Sequence, residues 1–387
     1  MTGVVHLNAA GAALPLPAAQ EAALVHMREE ARVGPHWAAD AAAGVLAETR
    51  ASAARLLGAP RPANVAFGET ATRLWAQALS ALPLRPGARI LLARCEWGGN
   101  ALNATRLAVA RGAVCEVLPA DARGRVELGA LAATMDERVA ALCIPAVSSG
   151  LGTSQPVAEA GRLPRPDGCL FLVDAAQAAG RMPVGLDLWN ADVVTAPARK
   201  WLRGPRGQAA MALSDRALAR LGEPPLLDLV GAPWIGAERG DNGGGWARRE
   251  DAGRFEAYEF SVAGRLGFGA ALTHAEREFE ATRWRIARLL ALLHAGLSAS
   301  PGVEVFEDVS SGPAFLTFVR AGEAPGALAK RLRAAGVAIA AVGAGNAPFE
   351  FAARGVAEVC RVAPHAYTRE DEIVRFLEAV ADGRVRA

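Results

Sequence analysis

The feature that most restricts the fold is an alternation, between residues 65 and 213, of short apolar runs with helix-length segments. Most runs are apolar on both faces, which is typical of a parallel sheet covered by helices on both sides. Ligands of such sheets bind at the carboxyl ends of the strands, so we expect the chemistry there. The predicted strands are 64–67, 89–93, 113–118, 139–147, 169–173, 191–196 and 208–213, and the predicted helices between them include 70–82, 100–111 and 127–135.

The sequence changes character after residue 213. Residues 222–261 are rich in proline and glycine, including Asp241-Asn242 and Gly243-Gly244-Gly245, and predict an irregular excursion. Long helices are predicted at 262–280 and 282–298, followed by strands at 303–306, 314–319, 337–341 and 358–363 and helices at 327–335 and 369–381. We therefore predict an α/β protein with a mostly parallel central sheet, helices on both faces and a smaller α+β C-terminal domain. The large domain is predicted at 15–262, and the small domain at 1–14, an N-terminal arm, together with 263–387.

Composition excludes several classes of function. A net charge of +2 gives no field that would favour nucleic acid or an anionic membrane. Residues 1–11 have no signal-peptide pattern, and no apolar run reaches the length of a membrane span. The five cysteines are scattered and predict reduced thiols in a cytoplasmic protein, and the six histidines show no metal-ligand spacing, so no metal is expected.

Two residues at predicted strand ends carry the chemistry. The apolar run 169–173 ends at Asp174, and the run 191–196 leads into Arg199 and Lys200 before a glycine-bounded turn. Alone, Asp174 could cap a helix and Lys200 could be a surface residue. Burial and the neighbouring Arg199 should lower the pKa of Lys200, as an imine-forming amine requires.

Together the two residues predict a pyridoxal 5′-phosphate (PLP) site. PLP needs an anion beside its ring nitrogen, a lysine for the imine and a cradle for its phosphate. The cradle is predicted at residues 67–72, where a strand and a tight turn lead to a helix start at Ala71 and Thr72. Gln177 could bond the ring hydroxyl, and Trp97 could either stack on the ring or pack in the core.

The order of these parts resembles the class V aminotransferase family of fold-type I PLP enzymes, which includes cysteine desulfurases and isopenicillin N epimerase-like proteins. The similarity starts at residues 7–11, where Asn8 and Ala9 would approach the substrate, and ends at 360–368, where Arg361 would bind the α-carboxylate. The resemblance also implies a homodimer with shared active sites. Ser261, in a segment that would reach the partner's phosphate, is a candidate, with a helix cap as the alternative.

The sequence departs from the family pattern at three places. Pro197 stands where a phosphate-binding hydroxyl is common, so Thr195 or Arg199 would have to substitute. Ser148-Ser149 stands where many relatives have an asparagine; either hydroxyl could face the cofactor or the substrate, and Ser149 is the predicted cofactor contact. The loop 342–348, where desulfurases carry a sulfur-accepting cysteine, contains none, which disfavours a persulfide-forming desulfurase.

Three reactions share a first step, removal of the α-proton by Lys200. The stretch 199–207 resembles that of hercynylcysteine sulfoxide lyases, which favours a C–S β-lyase acting on a cysteine conjugate or sulfoxide. Transamination and epimerisation remain alternatives, although no second acid or base for epimerisation is evident. A catalytically degenerate binding protein is the alternative of another class, and the intact set Asp174, Gln177, Lys200 and Arg361 argues against it.

Overall fold

A computed structural model describes residues 3–235 and 245–382. The chain starts with a short strand, β1 (Val5–His6), and three helices, α1 (Pro17–Val33), α2 (Pro35–Ala41) and α3 (Ala43–Leu56). α1 and α2 each begin with a proline, which suits a first helical position because no N–H is needed there.

A seven-stranded sheet forms the centre of the described chain. Its strands are β2 (Val65–Gly68), β3 (Arg89–Ala93), β4 (Val114–Leu118), β5 (Val139–Pro145), β6 (Leu170–Asp174), β7 (Val193–Pro197) and β8 (Ala209–Leu213), in the spatial order β2-β8-β7-β6-β5-β3-β4. The pairs from β7 to β4 are all parallel, and β8 runs antiparallel to both of its neighbours. The mostly parallel sheet is confirmed, and every predicted strand lies within two residues of an observed one.

Helices cover both faces of this sheet. The connecting helices are α4 (Ala71–Ser80), α5 (Gly98–Arg111), α6 (Leu128–Thr134), α7 (Val157–Arg162), α8 (Leu186–Trp189) and α9 (Asp215–Arg220). Alternate residues of β6 enter different cores: Leu172 packs with Trp75 of α4, whereas Phe171 packs on the other side with Phe268. This period of two explains why the strands are apolar throughout.

The region after the sheet contains a two-residue antiparallel pair, β9 (Trp234–Ile235) and β10 (Gly245–Trp246), and two long helices, α10 (Val262–Arg277) and α11 (Phe279–Ser298). The predicted turn residues 241–244 lie outside the described residues. α10 packs closely on α1 and α3, because it has glycines where it meets them. A β-carbon at Gly267 would lie 2.6 Å from the carbonyl oxygen of Ala19 in α1, and one at Gly269 would clash with Oγ1 of Thr49 in α3.

The C-terminal unit is an antiparallel sheet backed by helices. Its elements are β11 (Val303–Val305), β12 (Leu316–Arg320), α12 (Pro325–Ala334), β13 (Val337–Ala338), β14 (Ala340–Gly343), α13 (Pro348–Arg354), β15 (Glu358–Val362) and α14 (Glu370–Ala381), and the sheet order is β11-β12-β15-β14. The predicted strand 337–341 is divided, since β13 pairs with β1 and β14 pairs with β15. Helix α13 was not predicted.

The N-terminal arm joins this C-terminal unit. β1 pairs in parallel with β13, and Val5 and Leu7 are fully buried in the same core as Phe318 and Phe376. This packing supports the proposed assignment of residues 1–14 to the small domain. The domain boundaries at 15–262 and 263–387 stay a prediction. No helix of the described chain has the length and apolarity to cross a membrane.

Candidate active site

The carboxyl ends of the parallel strands surround a cavity of about 420 Å³. Asp174 is the last residue of β6, Lys200 follows β7, and Trp97 and Ser149 follow β3 and β5. The structure thus brings together predicted site residues that are up to 129 positions apart (200 − 71). The predicted site residues that line this cavity are Ala71, Thr72, Trp97, Ser149, Asp174, Arg199 and Lys200.

Lys200 is held in a buried position with a weakened charge. Its side chain is only 9% exposed, and its carbonyl oxygen accepts a bond from the N–H of Arg203, which tightens the turn after β7. Burial, helped by the charges of Arg199 and Arg361, lowers the pKa of Lys200 to about 7 against the opposing effect of Asp174. About half of the amine is therefore a neutral nucleophile at pH 7, and the neutral fraction grows as the pH rises. The chain has one other lysine, Lys330, which is exposed.

Asp174 has defined partners on both oxygens. Oδ1 accepts from the backbone N–H of Ala176 at 2.8 Å, and Oδ2 accepts from Nδ2 of Asn100 at 3.0 Å. Burial raises the pKa of Asp174, while Lys200 and these two donors oppose the rise. A cation placed beside this carboxylate would be strongly favoured, which fits a protonated ring nitrogen.

Sequence reasoning did not identify Glu96 and Asn100. Both are fully buried, and Nδ2 of Asn100 also donates to Oε1 of Glu96 at 3.0 Å. The only sequence signal was a pair of polar residues four apart where an apolar strand meets a helix.

The predicted phosphate cradle lies at the start of α4. Thr70 caps the helix by accepting from the N–H of Arg73 at 3.1 Å, and Ala71 and Thr72 line the cavity beside it. Pro197 also lines the cavity and offers no donor, and the hydroxyl of Thr195 is buried with no partner in the part of the chain that the structure describes.

Two arginines lie beside the predicted cradle. Arg199 and Arg206 line the cavity, and no carboxylate pairs with either one among residues 3–235 and 245–382. Burial lowers the pKa of Arg199, and the like charge of Arg206 adds to the effect. Two cations that face one cavity, with no carboxylate paired to either of them in the described chain, fit a dianionic phosphate.

Gln177 is buried but does not line the cavity. Its Oε1 accepts from the indole N–H of Trp201 at 3.0 Å, and its Nε2 donates to the carbonyl oxygen of Ala10 at 3.1 Å. One N–H of the amide is left for a further acceptor. Trp201 in turn stacks on His365, whose pKa is lowered by burial to about 4. His365 was not predicted to support the site.

Trp97 and Ser149 line the cavity from the ends of two neighbouring strands, β3 and β5. The indole of Trp97 folds over Gly99, where a β-carbon would lie 2.6 Å from its Nε1 and 3.3 Å from the methyl group of Thr72. Of the two serines, Ser148 accepts from the N–H of Leu151, whereas Ser149 lines the cavity. The side chains of Trp234 and Trp246 pack on each other at a separate surface groove.

Arg361 and the N-terminal segment flank the cavity. Arg361 is buried over the ring of Phe315, its Nε has no partner within the described residues, and burial lowers its pKa to about 10. The backbone of Ala9 bonds to that of Ala363, and Ala13 bonds to Arg199. Asn8 is partly buried beside Gly11, with Oδ1 unpartnered in the described chain.

Ser261 is not part of this cavity within one chain. It caps α10 by accepting from the N–H of Gly264 at 3.0 Å, and it lies in a neighbouring groove with Gln208 and Arg265. Its predicted contact with a partner's phosphate stays a prediction.

Comparison with known proteins decides the family. The family model for aminotransferase class V matches residues 4–376. The chain belongs to the class V aminotransferase family. It is 33% identical over 384 residues to a probable hercynylcysteine sulfoxide lyase of Mycobacterium tuberculosis, covering 97% of this chain and 89% of that protein.

Solved structures share the fold. The apo cysteine desulfurase of Thermococcus onnurineus superposes with a TM-score of 0.87 at 21% identity, covering 98% of this chain and 94% of that one. A lysine mutant of the protein C-DES, with glycine covalently linked to PLP, superposes with a TM-score of 0.86 at 20% identity, covering 98% and 97%. The fold-type I class predicted from the sequence is confirmed.

This class V chain is a PLP-dependent enzyme, and its residues fit the cofactor. Asp174 would hold the ring nitrogen, Lys200 would carry the covalent link, and Arg199, Arg206 and the start of α4 would hold the phosphate. No group of three or more His, Cys, Asp or Glu side chains suited to a metal occurs among the described residues.

Proposed function

We propose that the enzyme is a C–S β-lyase that acts on a cysteine S-conjugate or S-oxide. The observation that carries the proposal is a site with the parts for α-proton removal but without a thiol to accept sulfur. The identity to a probable hercynylcysteine sulfoxide lyase over nearly the whole chain supports the same reaction.

The cysteines of the chain do not provide a sulfur acceptor. The cavity lining contains none of the five, and burial raises the pKa of each thiol, so a reactive thiolate is disfavoured. The thiol-free loop 342–348 contacts the start of α5, where the carbonyl oxygen of Gly345 occupies the space that a side chain at Gly98 would need. This places the loop next to Trp97.

Arg361, Lys200 and Asp174 would each have a different role in the reaction. Arg361 would bind the α-carboxylate of the substrate, since its buried guanidinium has no carboxylate partner in the described chain. Nζ of Lys200, released from its covalent link, would take the α-proton, because a pKa of about 7 leaves a large neutral fraction at neutral pH. PLP, when bound, supplies the electron sink that makes this proton acidic. Asp174 would hold that sink in place.

The reaction balances without a further reagent. Removal of the α-proton and cleavage of the Cβ–S bond convert a cysteine S-oxide to 2-aminoacrylate and a sulfenate, which takes up a proton to become a sulfenic acid. Water then converts the aminoacrylate to pyruvate and ammonia. No oxidant or reductant is required.

A panel of substrates tests this proposal. The holoenzyme should release equal amounts of pyruvate and ammonia from cysteine S-conjugates or S-oxides, with no sulfur bound to the protein. Failure across that panel, with formation of the amino form of the cofactor from ordinary amino acids, would show transamination instead. Lys200 could itself move the proton that transamination needs.

We also propose a homodimer in the cytoplasm. Seven large apolar side chains between residues 226 and 260 are at least 38% exposed, as expected for a surface that a second copy covers: Leu226, Leu229, Trp234, Ile235, Trp246, Tyr258 and Phe260. All five cysteines are free thiols, which supports a reducing compartment. Sedimentation of the holoenzyme as a monomer would contradict the dimer.

A further inference from the structure

Behind Asp174 the structure contains a second buried carboxyl group that the proposed reaction does not use. Nδ2 of Asn100 lies 3.0 Å from Oε1 of Glu96 and 3.0 Å from Oδ2 of Asp174, so its two hydrogens bridge the two carboxyl groups. The backbone N–H of Trp97 is the other donor to Oε1 of Glu96, at 2.9 Å. Oε2 of Glu96 has no partner within the described chain.

The two carboxyl groups have unequal support for a negative charge. The charge of Asp174 is stabilised by hydrogen bonds from Asn100 and from the N–H of Ala176 and, where Lys200 is protonated, by that cation. Glu96 is fully buried, and no arginine, lysine or histidine pairs with it among residues 3–235 and 245–382. Two buried carboxylates that share one amide cannot both ionise at low cost, so one of them retains a proton.

The surroundings assign that proton to Glu96. Burial, followed by the charge of Asp174, raises the pKa of Glu96 to about 8. The other titratable groups that face Glu96 are the thiols of Cys95, in the same turn, and Cys143, on β5. Burial raises the pKa of both thiols, so both are neutral at pH 7 and add no charge to the cluster.

We propose that Glu96 is a positioning residue that stays protonated behind Asp174, with Asn100 joining the two carboxyl groups, so that the site presents one negative charge to the cofactor. A neutral Glu96 anchors the amide of Asn100, and the amide then fixes Oδ2 of Asp174. The inference rests on the cofactor site and not on the fate of the substrate, so a failed lyase assay leaves it intact.

Infrared difference spectroscopy tests the protonation directly. The difference between the infrared spectra of the holoenzyme and of Glu96→Gln should show the C=O stretch of a protonated carboxylic acid at pH 7. This signal should vanish as the pH rises through about 8. Glu350→Gln is the matched control, because Glu350 is as deeply buried but is paired with Arg94 and Arg354. A difference spectrum that shows only carboxylate bands of Glu96 at pH 7 would overturn the proposal.

Cofactor affinity tests the positioning role. At pH 7 Glu96→Gln should keep the PLP dissociation constant within about twofold, because it preserves both the shape and the neutral charge. Glu96→Ala and Asn100→Ala should each weaken binding by about tenfold, and the double variant should be no weaker than either, since both remove the same support. A tenfold loss of PLP affinity in Glu96→Gln would mean that Glu96 acts as an anion and would refute the proposal. This outcome can be read even if the alanine variants fail to fold.

Discussion

Arg361 donates a hydrogen bond from Nη1 to the carbonyl oxygen of Ser149, 3.0 Å away. The bond joins β15 of the C-terminal sheet to the turn after β5 of the central sheet, across 212 positions of sequence. Because Ser149 lines the cavity, this contact aims the guanidinium at the rim of the site. The remaining N–H groups of Arg361 are available for a ligand.

Replacement of Arg361 should weaken substrate binding. Arg361→Ala should lose roughly 2–4 kcal/mol of binding free energy, or about 30- to 700-fold in kcat/KM, through loss of a charge-assisted bidentate contact. Arg320→Ala is the control, since Arg320 lies on the neighbouring strand β12 and pairs with Glu323. An unchanged KM in Arg361→Ala would show that the carboxylate binds elsewhere.

The amine of Lys200 should titrate near pH 7 in the apoenzyme. Because burial lowers its pKa to about 7, the neutral form should rise as the pH increases through that value instead of near 10.4, the usual value for lysine. With ¹³C-labelled lysine the chain gives two side-chain signals in NMR, and Lys330→Ala assigns them. A Lys200 signal that titrates only near pH 10 would contradict the buried, weakened amine.

Arg206 should contribute to phosphate binding in place of the hydroxyl that Pro197 lacks. Arg206→Ala should raise the dissociation constant of PLP by about tenfold or more, and the loss should shrink as salt is added. The control Arg220→Ala removes an arginine that pairs with Asp167 away from the cavity. Equal affinities for the two variants would exclude Arg206 from the cradle.

Activity should not depend on a cysteine. Cys360 is fully buried beside Arg361, with its thiol near the carbonyl oxygen of Pro325. Cys360→Ala should keep kcat within about threefold, since the change removes only a small buried atom. Mass spectrometry of the enzyme after turnover should find no added sulfur. Complete loss of turnover in a folded Cys360→Ala enzyme would favour sulfur transfer to protein.

The strands of the central sheet could be predicted from the sequence because both of their faces are buried. A run such as 169–173 is apolar throughout, so its boundaries can be read from the sequence, and the carboxylate that follows it marks the end of the strand. Asp174 and Lys200 were therefore placed at the same edge of the sheet from local pattern alone. The division of 337–341 between two sheets depends on partners far away in sequence.

Helix α13 was missed because its signals are ambiguous. Pro348 comes shortly after Gly343 and Gly345, and this combination suggests a loop. Proline is, however, also favoured at the first position of a helix. The role of Gln177 could not be predicted for a different reason. Its side-chain oxygen accepts a hydrogen bond from Trp201, and this contact depends on the conformation of the turn after β7. The Glu96–Asn100–Asp174 cluster likewise forms only when β3 and β6 come together in the sheet.

The central claim is that PLP forms its covalent link with Lys200. The chain has only two lysines, so reduction of the holoenzyme with borohydride followed by peptide mass mapping gives an unambiguous answer. The account predicts a pyridoxyl group on Lys200, a visible absorbance band that is lost in Lys200→Ala, and a normal band in the exposed-site control Lys330→Ala. A colourless protein that cannot be reconstituted with PLP, or a label on Lys330 alone, would contradict it.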